Sequence, residues 1–339
     1  MDSTDILNQH PNNLTINEGS ATHTDKKWAK GIRGISTEQL RLHTQRLPDG
    51  SHVQDWSVLH PETYDDFLRR GERSVQPNAR HCHHLKSEAD GLAYFKLEIA
   101  APVLSKFIRY PALSCNAEVS TGRGGLVTDE LYKFNDKHAV MVEGKRNLFK
   151  ADLWFKGKFD KRDDQVKLCR ELRGYAMNFE CPHIALFDNA YLVLLQFRAF
   201  GLSQLDNCDV DCWILERVES GSQLSRHPLR DGFYRIASQA VKRCVCLGSP
   251  PSGSLGNFSF SSRSFYSGLP LWDLGNGQAS DQHPEGYYRA VDESSGCFCW
   301  KFGENWVLDP YGQKIADSGS LWTTRQTQWE TAEDLYSAT

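Results

Sequence analysis

The sequence of 339 residues lacks several features that would assign it at once to a functional class. It has no apolar run of about 18 residues, the length that a membrane-spanning helix needs, so we expect no membrane partner. Its net charge is only −4, so any binding of nucleic acid would depend on local basic patches. It contains no Gly-x-Ser-x-Gly, HRD or DFG motif, which argues against an α/β-hydrolase and a protein kinase.

The ten cysteines also lack the spacing of a structural zinc site. Only three pairs are close in sequence, and none is Cys-x-x-Cys: Cys208 with Cys212, Cys244 with Cys246, and Cys297 with Cys299. The N-terminal residues have neither a basic start nor an apolar core, so they do not form a secretory signal. We therefore expect an intracellular protein, nuclear or cytoplasmic and not secreted, with reduced thiols.

The composition divides the chain into five parts. Residues 1–30 are polar, which predicts a disordered segment, and residues 31–84 form an N-terminal extension that mixes short apolar stretches with charge. Residues 85–247 have the regular pattern of a folded domain. Residues 248–264 are rich in Gly, Ser and Pro, which predicts a linker or a long loop. Residues 265–339 form a small C-terminal module and tail rich in aromatic residues and glycine.

Within the central part, hydrophobic periodicity predicts helices and strands in a defined order. Residues 87–108 form an amphipathic helix with Ser87 as its N-cap and with Pro102 as a point where it kinks or divides. Three strands follow, then a helix over residues 163–179, two or three further strands and a closing helix. We therefore predict an α/β or α+β domain in which helices flank a mixed central sheet.

Polar residues occupy the end of the third of these strands, in "HAVMVEGK". Because side chains alternate along a strand, Glu143 and Lys145 share one face. A three-residue loop between the second and third strands would place Asp129 directly opposite Glu143. A two-residue turn would shift the pairing by one residue and turn Asp129 to the other face. In the second case the strand would simply end in solvent with an ion pair of little energetic value.

Two carboxylates that oppose each other so closely repel, unless a cation lies between them. Oxygen ligands of this kind suit Mg²⁺ or Mn²⁺, which bind one or two carboxylates together with waters and substrate phosphate. Such an ion makes a bound water more acidic, and Lys145 would stabilise charge on the phosphate. Asp129, Glu143 and Lys145 therefore fit the hydrolysis of a phosphodiester bond in DNA or RNA.

The segment "TDELYKFNDKHAVMVEGK" resembles the Asp…Glu-x-Lys core of the PD-(D/E)XK nuclease-like superfamily. The helix and strands in "DQVKLCRELRGYAMNFECPHIALFDNAYLVLLQF" resemble the elements that follow this core in many members. The resemblance implies a restriction-endonuclease-like core, with Asp129 and Glu143 as metal ligands and Lys145 as the catalytic lysine. It also implies a glutamate from the first helix as a further ligand, for which Glu88 is preferred over Glu98.

The same resemblance places Gln165 near the site as a polar residue of the following helix, with Tyr175 as a weaker candidate. Asp152 is an alternative ligand. The sequence departs from the family pattern at Thr128, where many members have proline, and at Gly144, where many have an apolar residue. Because the superfamily includes members without activity, an inactive nuclease fold that binds nucleic acid or protein is the alternative. A protein-binding scaffold without any link to nucleic acid is a third possibility.

A cluster of basic residues follows the proposed site. It includes Arg146, Lys150, Lys156 and Lys158, with two aromatic residues between them. These residues would hold phosphates while Trp154 and Phe155 stack on bases. A solvated loop without a partner is the alternative interpretation.

Overall fold

The structure is a computed structural model that describes residues 6–9, 11, 15–18, 20–59, 64–72, 83–110, 112–120, 126–217 and 229–321. Eleven strands precede the last long helix: β1 (Thr15–Asn17), β2 (Leu40–Leu42), β3 (Thr44–Arg46), β4 (His52–Gln54), β5 (His83–Leu85), β6 (Leu113–Ser120), β7 (Val127–Phe134), β8 (Lys137–Gly144), β9 (His183–Phe187), β10 (Tyr191–Phe197) and β11 (Val210–Glu216). The α-helices are α1 (Tyr64–Gly71), α2 (Glu88–Tyr94), α3 (Ala101–Leu104), α4 (Ala151–Phe155), α5 (Asp163–Asn178) and α6 (Leu229–Leu247).

The centre of the fold is a seven-stranded mixed sheet in the order β2-β11-β10-β9-β8-β7-β6. Neighbouring strands are antiparallel except for two parallel pairs, β8 with β9 and β2 with β11. The parallel β8–β9 pair requires a crossover connection, and helix α5 provides it. The predicted mixed α/β arrangement with a central sheet is therefore confirmed.

Helices cover both faces of this sheet because its central strands are apolar on both sides. On one face, Val142 of β8 belongs to a buried cluster with Phe95 and with Phe233 of α6. On the other face, Met141 of β8 belongs to a second cluster that includes Leu172 of α5. The alternation along β8 thus directs successive residues into two separate cores.

The predicted helix over residues 87–108 forms, but it is not regular. Ser87 accepts a hydrogen bond from the backbone N–H of Asp90, and the Asp90 side chain accepts one from the N–H of Ser87, which completes a capping box. A π-helical stretch follows α2 over Phe95–Ala100, and α3 then begins with Pro102 in its first turn. Proline fits this position because the first turn of a helix needs no N–H donor.

Two parts of the N-terminal region contact the central domain directly. Residues 20–30 do not separate from the domain: the 3₁₀ turn Lys27–Ala29 contacts α5. Strand β2, which falls within the predicted extension, forms one edge of the central sheet. The remaining part of the predicted disordered segment lies partly outside the described residues. The 3₁₀ turn and strand β2 have only three residues each, which is too short for a periodic pattern to be detected in the sequence.

The region after α6 forms two four-stranded sheets, and the predicted linker at 248–264 contributes strands to one of them. The first sheet contains β12 (Gly253–Leu255), β13 (Phe258–Arg263), β14 (Pro270–Gly275) and β15 (Gln278–Ser280). The second contains β16 (Tyr288–Val291), β17 (Cys297–Phe302), β18 (Asn305–Trp306) and β19 (Ala316–Ser320). Trp272 and Trp300 pack against each other in a small core, with ring centroids 5.6 Å apart. The predicted tail after residue 321 lies outside the described residues.

Two further findings bear on the sequence-based expectations. Among the helices in the described part of the chain, none has the length and apolar character to cross a membrane. The nine cysteines of the described residues are all free thiols.

Candidate functional site

The β7–β8 hairpin decides whether Asp129 and Glu143 can meet. Its turn has only two residues, because Phe134 pairs with Lys137. Asn135 takes the left-handed conformation that such a tight turn requires, with φ of 54°. With this turn alone, Asp129 would lie on the wrong face.

A β-bulge corrects the register within the same hairpin. The pairing shifts after Lys133, so that Tyr132 lies opposite Val140 and one extra residue is accommodated on β8. From there the strands remain in register to Glu130 opposite Val142. Asp129 and Glu143 are the next residues along the two strands. The turn therefore has two residues, yet the pairing at the site is the one that a three-residue loop would give.

Asp129 is half-buried and is fixed by the backbone of the neighbouring strand. The N–H of Gly144 donates a hydrogen bond of 2.7 Å to its Oδ2 atom. Burial raises the pKa of Asp129, and the negative charge of Glu88 adds to this effect. The Gly144 N–H and the Lys145 ammonium oppose it. Asp129 therefore lies within the electrostatic field of the Glu-Gly-Lys segment.

Lys145 joins two buried carboxylates. Its ammonium donates one hydrogen bond to Glu143 and another, of 3.0 Å, to Oε1 of Glu171 on α5. Glu143 and Lys145 are only 3% and 4% exposed, and Glu171 is fully buried. Burial would lower the pKa of Lys145, but the two carboxylates outweigh it and raise the pKa above its usual value. The ammonium therefore stays charged.

The two carboxylates have opposite pKa shifts because one cation cannot neutralise both. Burial raises the pKa of Glu143 to about 8, and the charges of Asp129 and Glu171 add to the effect while Lys145 opposes it. Burial acts on Glu171 in the same direction, but Lys145 and the hydroxyl of Thr24 reverse it and hold its pKa below the usual range. The folded protein therefore favours a proton on Glu143 and keeps the negative charge on Glu171.

Glu171 was not predicted as a site residue. It lies one turn before Tyr175 on α5, and the Tyr175 hydroxyl donates a hydrogen bond of 3.2 Å to its Oε1 atom. The sequence contained a usable signal, since Glu171 stands between Leu168 and Leu172 on the apolar side of the helix. An acidic residue in that position is buried only when it has partners. Tyr175, the weaker candidate, contacts the site through Glu171.

Gln165, which was predicted to lie near the site, forms its hydrogen bonds in a separate network and has none to Lys145, Glu143 or Asp129 among the described residues. Its side chain donates a hydrogen bond of 2.9 Å to the carbonyl of Leu148 and accepts one of 3.0 Å from the indole N–H of Trp154. It also accepts one of 3.2 Å from the backbone N–H of Lys150. Gln165 therefore orders the loop before α4. It precedes Glu171 by six residues, or about 9 Å along the helix.

The three other candidate ligands have separate environments. Glu88, in the first turn of α2, is close enough to Asp129 to raise its pKa. Glu98 faces a different part of the fold, where it forms ion pairs with His83 at 3.1 Å and Arg230 at 3.6 Å. Asp152 is exposed and pairs with Arg46 at 3.0 Å. Of these, only Glu88 lies near the cluster.

Half of the predicted basic cluster forms hydrogen bonds within the fold. The guanidinium of Arg146 donates hydrogen bonds to the carbonyls of Ser20 and Lys86. The ammonium of Lys150 donates one of 2.8 Å to the carbonyl of Asn147. Lys156 and Lys158, in contrast, are exposed. Two of the four cations proposed to hold phosphates therefore have structural roles instead.

Residues 20–32, which we call the N-terminal strap, run over this cluster. The backbone N–H of Thr22 donates to the carbonyl of Arg146 at 2.8 Å, and the N–H of Arg146 donates to the Thr22 hydroxyl at 3.1 Å. The buried hydroxyl of Thr24 donates a hydrogen bond to Glu171. The ring of Trp28 packs on Tyr175, with centroids 5.1 Å apart. The strap therefore contributes to the burial of the acidic cluster.

A divalent cation fits the donor chemistry of Asp129 and Glu143. The Oε2 atom of Glu143 is buried and has no hydrogen-bond partner among the described residues, an arrangement that is costly for a carboxylate without a cation or proton. In the described part of the chain, no three His, Cys, Asp or Glu side chains are grouped so as to hold a metal ion. A site built on two carboxylates would need waters and substrate to complete the coordination of Mg²⁺.

Comparisons with known proteins give this site no precedent. No family model, no curated protein and no solved structure matches the chain. The function must therefore be inferred from the residues themselves.

Proposed function

We propose that the protein hydrolyses phosphodiester bonds of DNA or RNA with the help of Mg²⁺ or Mn²⁺. The observation that carries this proposal is the register of the β7–β8 hairpin, which runs to Glu130 opposite Val142 and so directs the next residues, Asp129 and Glu143, towards each other beside the charged Lys145. A carboxylate pair next to a buried cation is a costly arrangement for stability alone. It is explained if the site has a chemical task.

The order of elements supports a restriction-endonuclease-like core of the PD-(D/E)XK type. Helix α2 is followed by the antiparallel strands β6, β7 and β8, then by α5 and by β9, which lies parallel to β8. The carboxylates and the lysine lie near the start of β7 and at the end of β8, where α2 and α5 approach. Glu88 and Glu171 come from these two helices.

The residues would divide the work according to their electrostatics. Asp129 and Glu143 would hold the divalent cation. The cation would lower the pKa of a bound water, so that this water could lose a proton and attack phosphorus, and would offset negative charge on the phosphate. Lys145 remains protonated near neutral pH, so we assign to it the stabilisation of the charged phosphate rather than proton abstraction. Glu171 and Tyr175 act as positioning residues, because Glu171 accepts a hydrogen bond from the Lys145 ammonium and the Tyr175 hydroxyl donates one to Glu171.

A nuclease fold without catalysis, which binds nucleic acid or protein, is the second candidate function. One specific observation favours it: Lys145 is tied between Glu143 and Glu171, and both Glu143 and Lys145 are almost fully buried. Substrate could reach these atoms only after the residues that bury them had shifted. In the second candidate function the ion-paired cluster has a purely structural role.

A cleavage assay separates the two functions. Purified protein is incubated with single- and double-stranded DNA and RNA in Mg²⁺, Mn²⁺ or EDTA. We expect cleavage that requires the cation and falls by about 100-fold or more in Asp129→Asn and in Lys145→Gln, a typical effect for groups that stabilise a transition state. Asp152→Asn and Lys156→Gln make the same chemical changes at exposed positions and should retain full activity.

Binding of Mn²⁺ without nucleic acid provides a readout that does not depend on turnover. Electron paramagnetic resonance of Mn²⁺ titrated into the protein should show a bound fraction that Asp129→Asn reduces and Asp152→Asn does not. If the wild type cleaves no nucleic acid, or if Asp129→Asn cleaves normally, the enzymatic proposal fails. Binding of an oligonucleotide without cleavage would then support the second function.

A further inference from the structure

A cavity of about 260 Å³ lies between the N-terminal strap and helix α5. Four of the six residues that line it are cationic, namely Lys26 and Lys30 of the strap and Lys167 and Arg170 of the helix; Asp25 is the only acid among them. We propose that this cavity binds the phosphate backbone of the nucleic acid that the candidate site acts on. The proposal rests on the proposed function and names the surface that holds its substrate.

The cavity borders the acidic cluster through both of its walls. On α5, Lys167, Arg170 and Glu171 are separated by three and four positions and therefore share one side of the helix. On the strap, Thr24 contacts Glu171, and Lys26 follows it by two residues. The charge of Lys26 lowers the pKa of both Asp129 and Glu171, so its ammonium lies within their range. A phosphate in the cavity would therefore lie on the side of α5 and of the strap that borders the carboxylates.

The balance of charge suits a polyanion. Lys167 pairs with the exposed Asp163 at 2.8 Å, but an exposed ion pair of this kind contributes little and is easily replaced. Lys26 and Lys30 are exposed, and Lys167 and Arg170 are partly exposed. Cations on two facing walls can contact successive phosphates of a chain, whereas a compact anion would need only some of them. Binding would release the counterions of several phosphates.

The cavity also explains a difficulty with the predicted basic cluster. Arg146 and Lys150 donate to backbone carbonyls of the protein, and these contacts would have to break before either residue could hold a phosphate. Lys30 and Arg170 line the cavity, and within the described part of the chain their side chains form no hydrogen bond or ion pair that a ligand would have to displace. The exposed pair Lys156 and Lys158 therefore serves as a matched control, with the same type of charge in the region that the sequence had favoured.

The test measures binding apart from cleavage. Fluorescence anisotropy of labelled single- and double-stranded oligonucleotides in EDTA is recorded for the full chain across a range of salt concentrations. We expect Lys30→Gln/Arg170→Gln to weaken binding at least 10-fold and to reduce the salt slope by about 1.4–1.8, the value for two lost phosphate contacts. Lys156→Gln/Lys158→Gln should change affinity less than 2-fold.

A second variant protects the test against misfolding. The aliphatic part of Arg170 packs near Gly34: a Cβ atom added to Gly34 would lie 3.5 Å from Arg170 Cγ, the distance of an ordinary contact. Lys30→Gln/Lys167→Gln leaves this contact intact and should also weaken binding. Equal effects of the cavity and control pairs, or no binding by the wild type at low salt, would overturn the proposal.

Two further measurements distinguish a failure of the proposed function from a failure of the proposed binding cavity. Asp129→Asn should bind the oligonucleotide with unchanged affinity or more tightly, because it removes negative charge and no cation. If cleavage is absent but the cavity variants still weaken binding, only the proposed function fails. If poly-glutamate displaces the oligonucleotide as well as unlabelled DNA does at equal charge concentration, the cavity recognises acidic peptides, and the proposal of a nucleic-acid ligand is overturned.

Discussion

The ammonium of Lys145 lies 3.0 Å from the carboxylate of Glu171, which belongs to the helix that connects β8 with β9. This contact links the end of β8 to the middle of α5. Glu143, Lys145 and Glu171 therefore form a buried network of three charged side chains. Removing one member of such a network leaves charge without compensation in a dry environment, so its effects on stability can be measured.

Lys145→Met should destabilise the fold strongly. The substitution keeps much of the side-chain volume but leaves Glu143 and Glu171 without a cation, so we expect the free energy of unfolding to fall by about 3–5 kcal/mol. Urea denaturation at neutral pH measures the change. Lys156→Met, at an exposed position, should change it by less than about 0.5 kcal/mol. Adding Glu143→Gln and Glu171→Gln to Lys145→Met should restore much of the loss, and a loss below about 1 kcal/mol would contradict a buried network.

Gly144 is required because Leu92 of α2 fills the space behind it. A Cβ atom at position 144 would lie 2.7 Å from Leu92 Cγ. Gly144→Ala should therefore cost about 1–3 kcal/mol of unfolding free energy, the usual effect of overpacking. In a double-mutant cycle, Leu92→Ala should cost less in the Gly144→Ala background than in the wild type, because it removes the clash. Additive effects of the two substitutions would show that the residues do not meet.

Gly174 serves the N-terminal strap in a similar way. A Cβ atom at this position would lie 2.6 Å from Ile32 Cδ1 and still closer to the ring of Trp28. Gly174→Ala should therefore loosen the strap, although alanine favours the helix itself. Hydrogen exchange of residues 22–32 should become faster, while exchange in β9 and β10 should not change. Unchanged protection of the strap would mean that it does not depend on this contact.

His183 makes the stability of the fold sensitive to acid. Burial, together with the charge of Arg243, lowers its pKa to about 3, while its bond to Gln196 acts in the opposite direction. The unfolded chain therefore takes up a proton from about pH 6.5 downward and the folded protein does not, so stability is present above that pH and is lost as the pH falls.

We expect His183 to account for a loss of about 2 kcal/mol between pH 7 and pH 5, on the basis of 1.36 kcal/mol per pKa unit. Asp188 acts in the opposite sense, since burial raises its pKa to about 7, so the readout is the difference between wild type and variant. Denaturation curves of His183→Gln should depend less steeply on pH over this range. His23→Gln, at an exposed position, should follow the wild type, and a parallel pH dependence for His183→Gln would contradict the prediction.

Much of the fold could be predicted from local patterns. The apolar periodicity of residues 163–179 identified α5, and the alternating or continuous apolar runs identified β7 to β10. The capping box at Ser87 lay within the sequence as well, and Pro102 correctly indicated that the first helix is divided. These features depend on neighbouring residues, so the sequence carries them without reference to the rest of the molecule.

The site was predictable in part, because strand alternation alone places Glu143 and Lys145 on one face. The register that directs Asp129 towards Glu143 could not be predicted, because a bulge without any local sequence motif compensates for the short turn. A bulge changes twist and register together, and its position depends on how the hairpin packs against both cores.

The sequence by itself determined the helices, most of the central strands and the pair Glu143 and Lys145. Only the tertiary structure decided that Glu171 completes their network, that Gln165 does not, and that the strap covers them. The physical reason is the distance along the sequence between the residues that interact. Hydrogen-bonded helices and alternating strands arise from residues a few positions apart, whereas a buried carboxylate must find its cation wherever the folded chain brings one within reach.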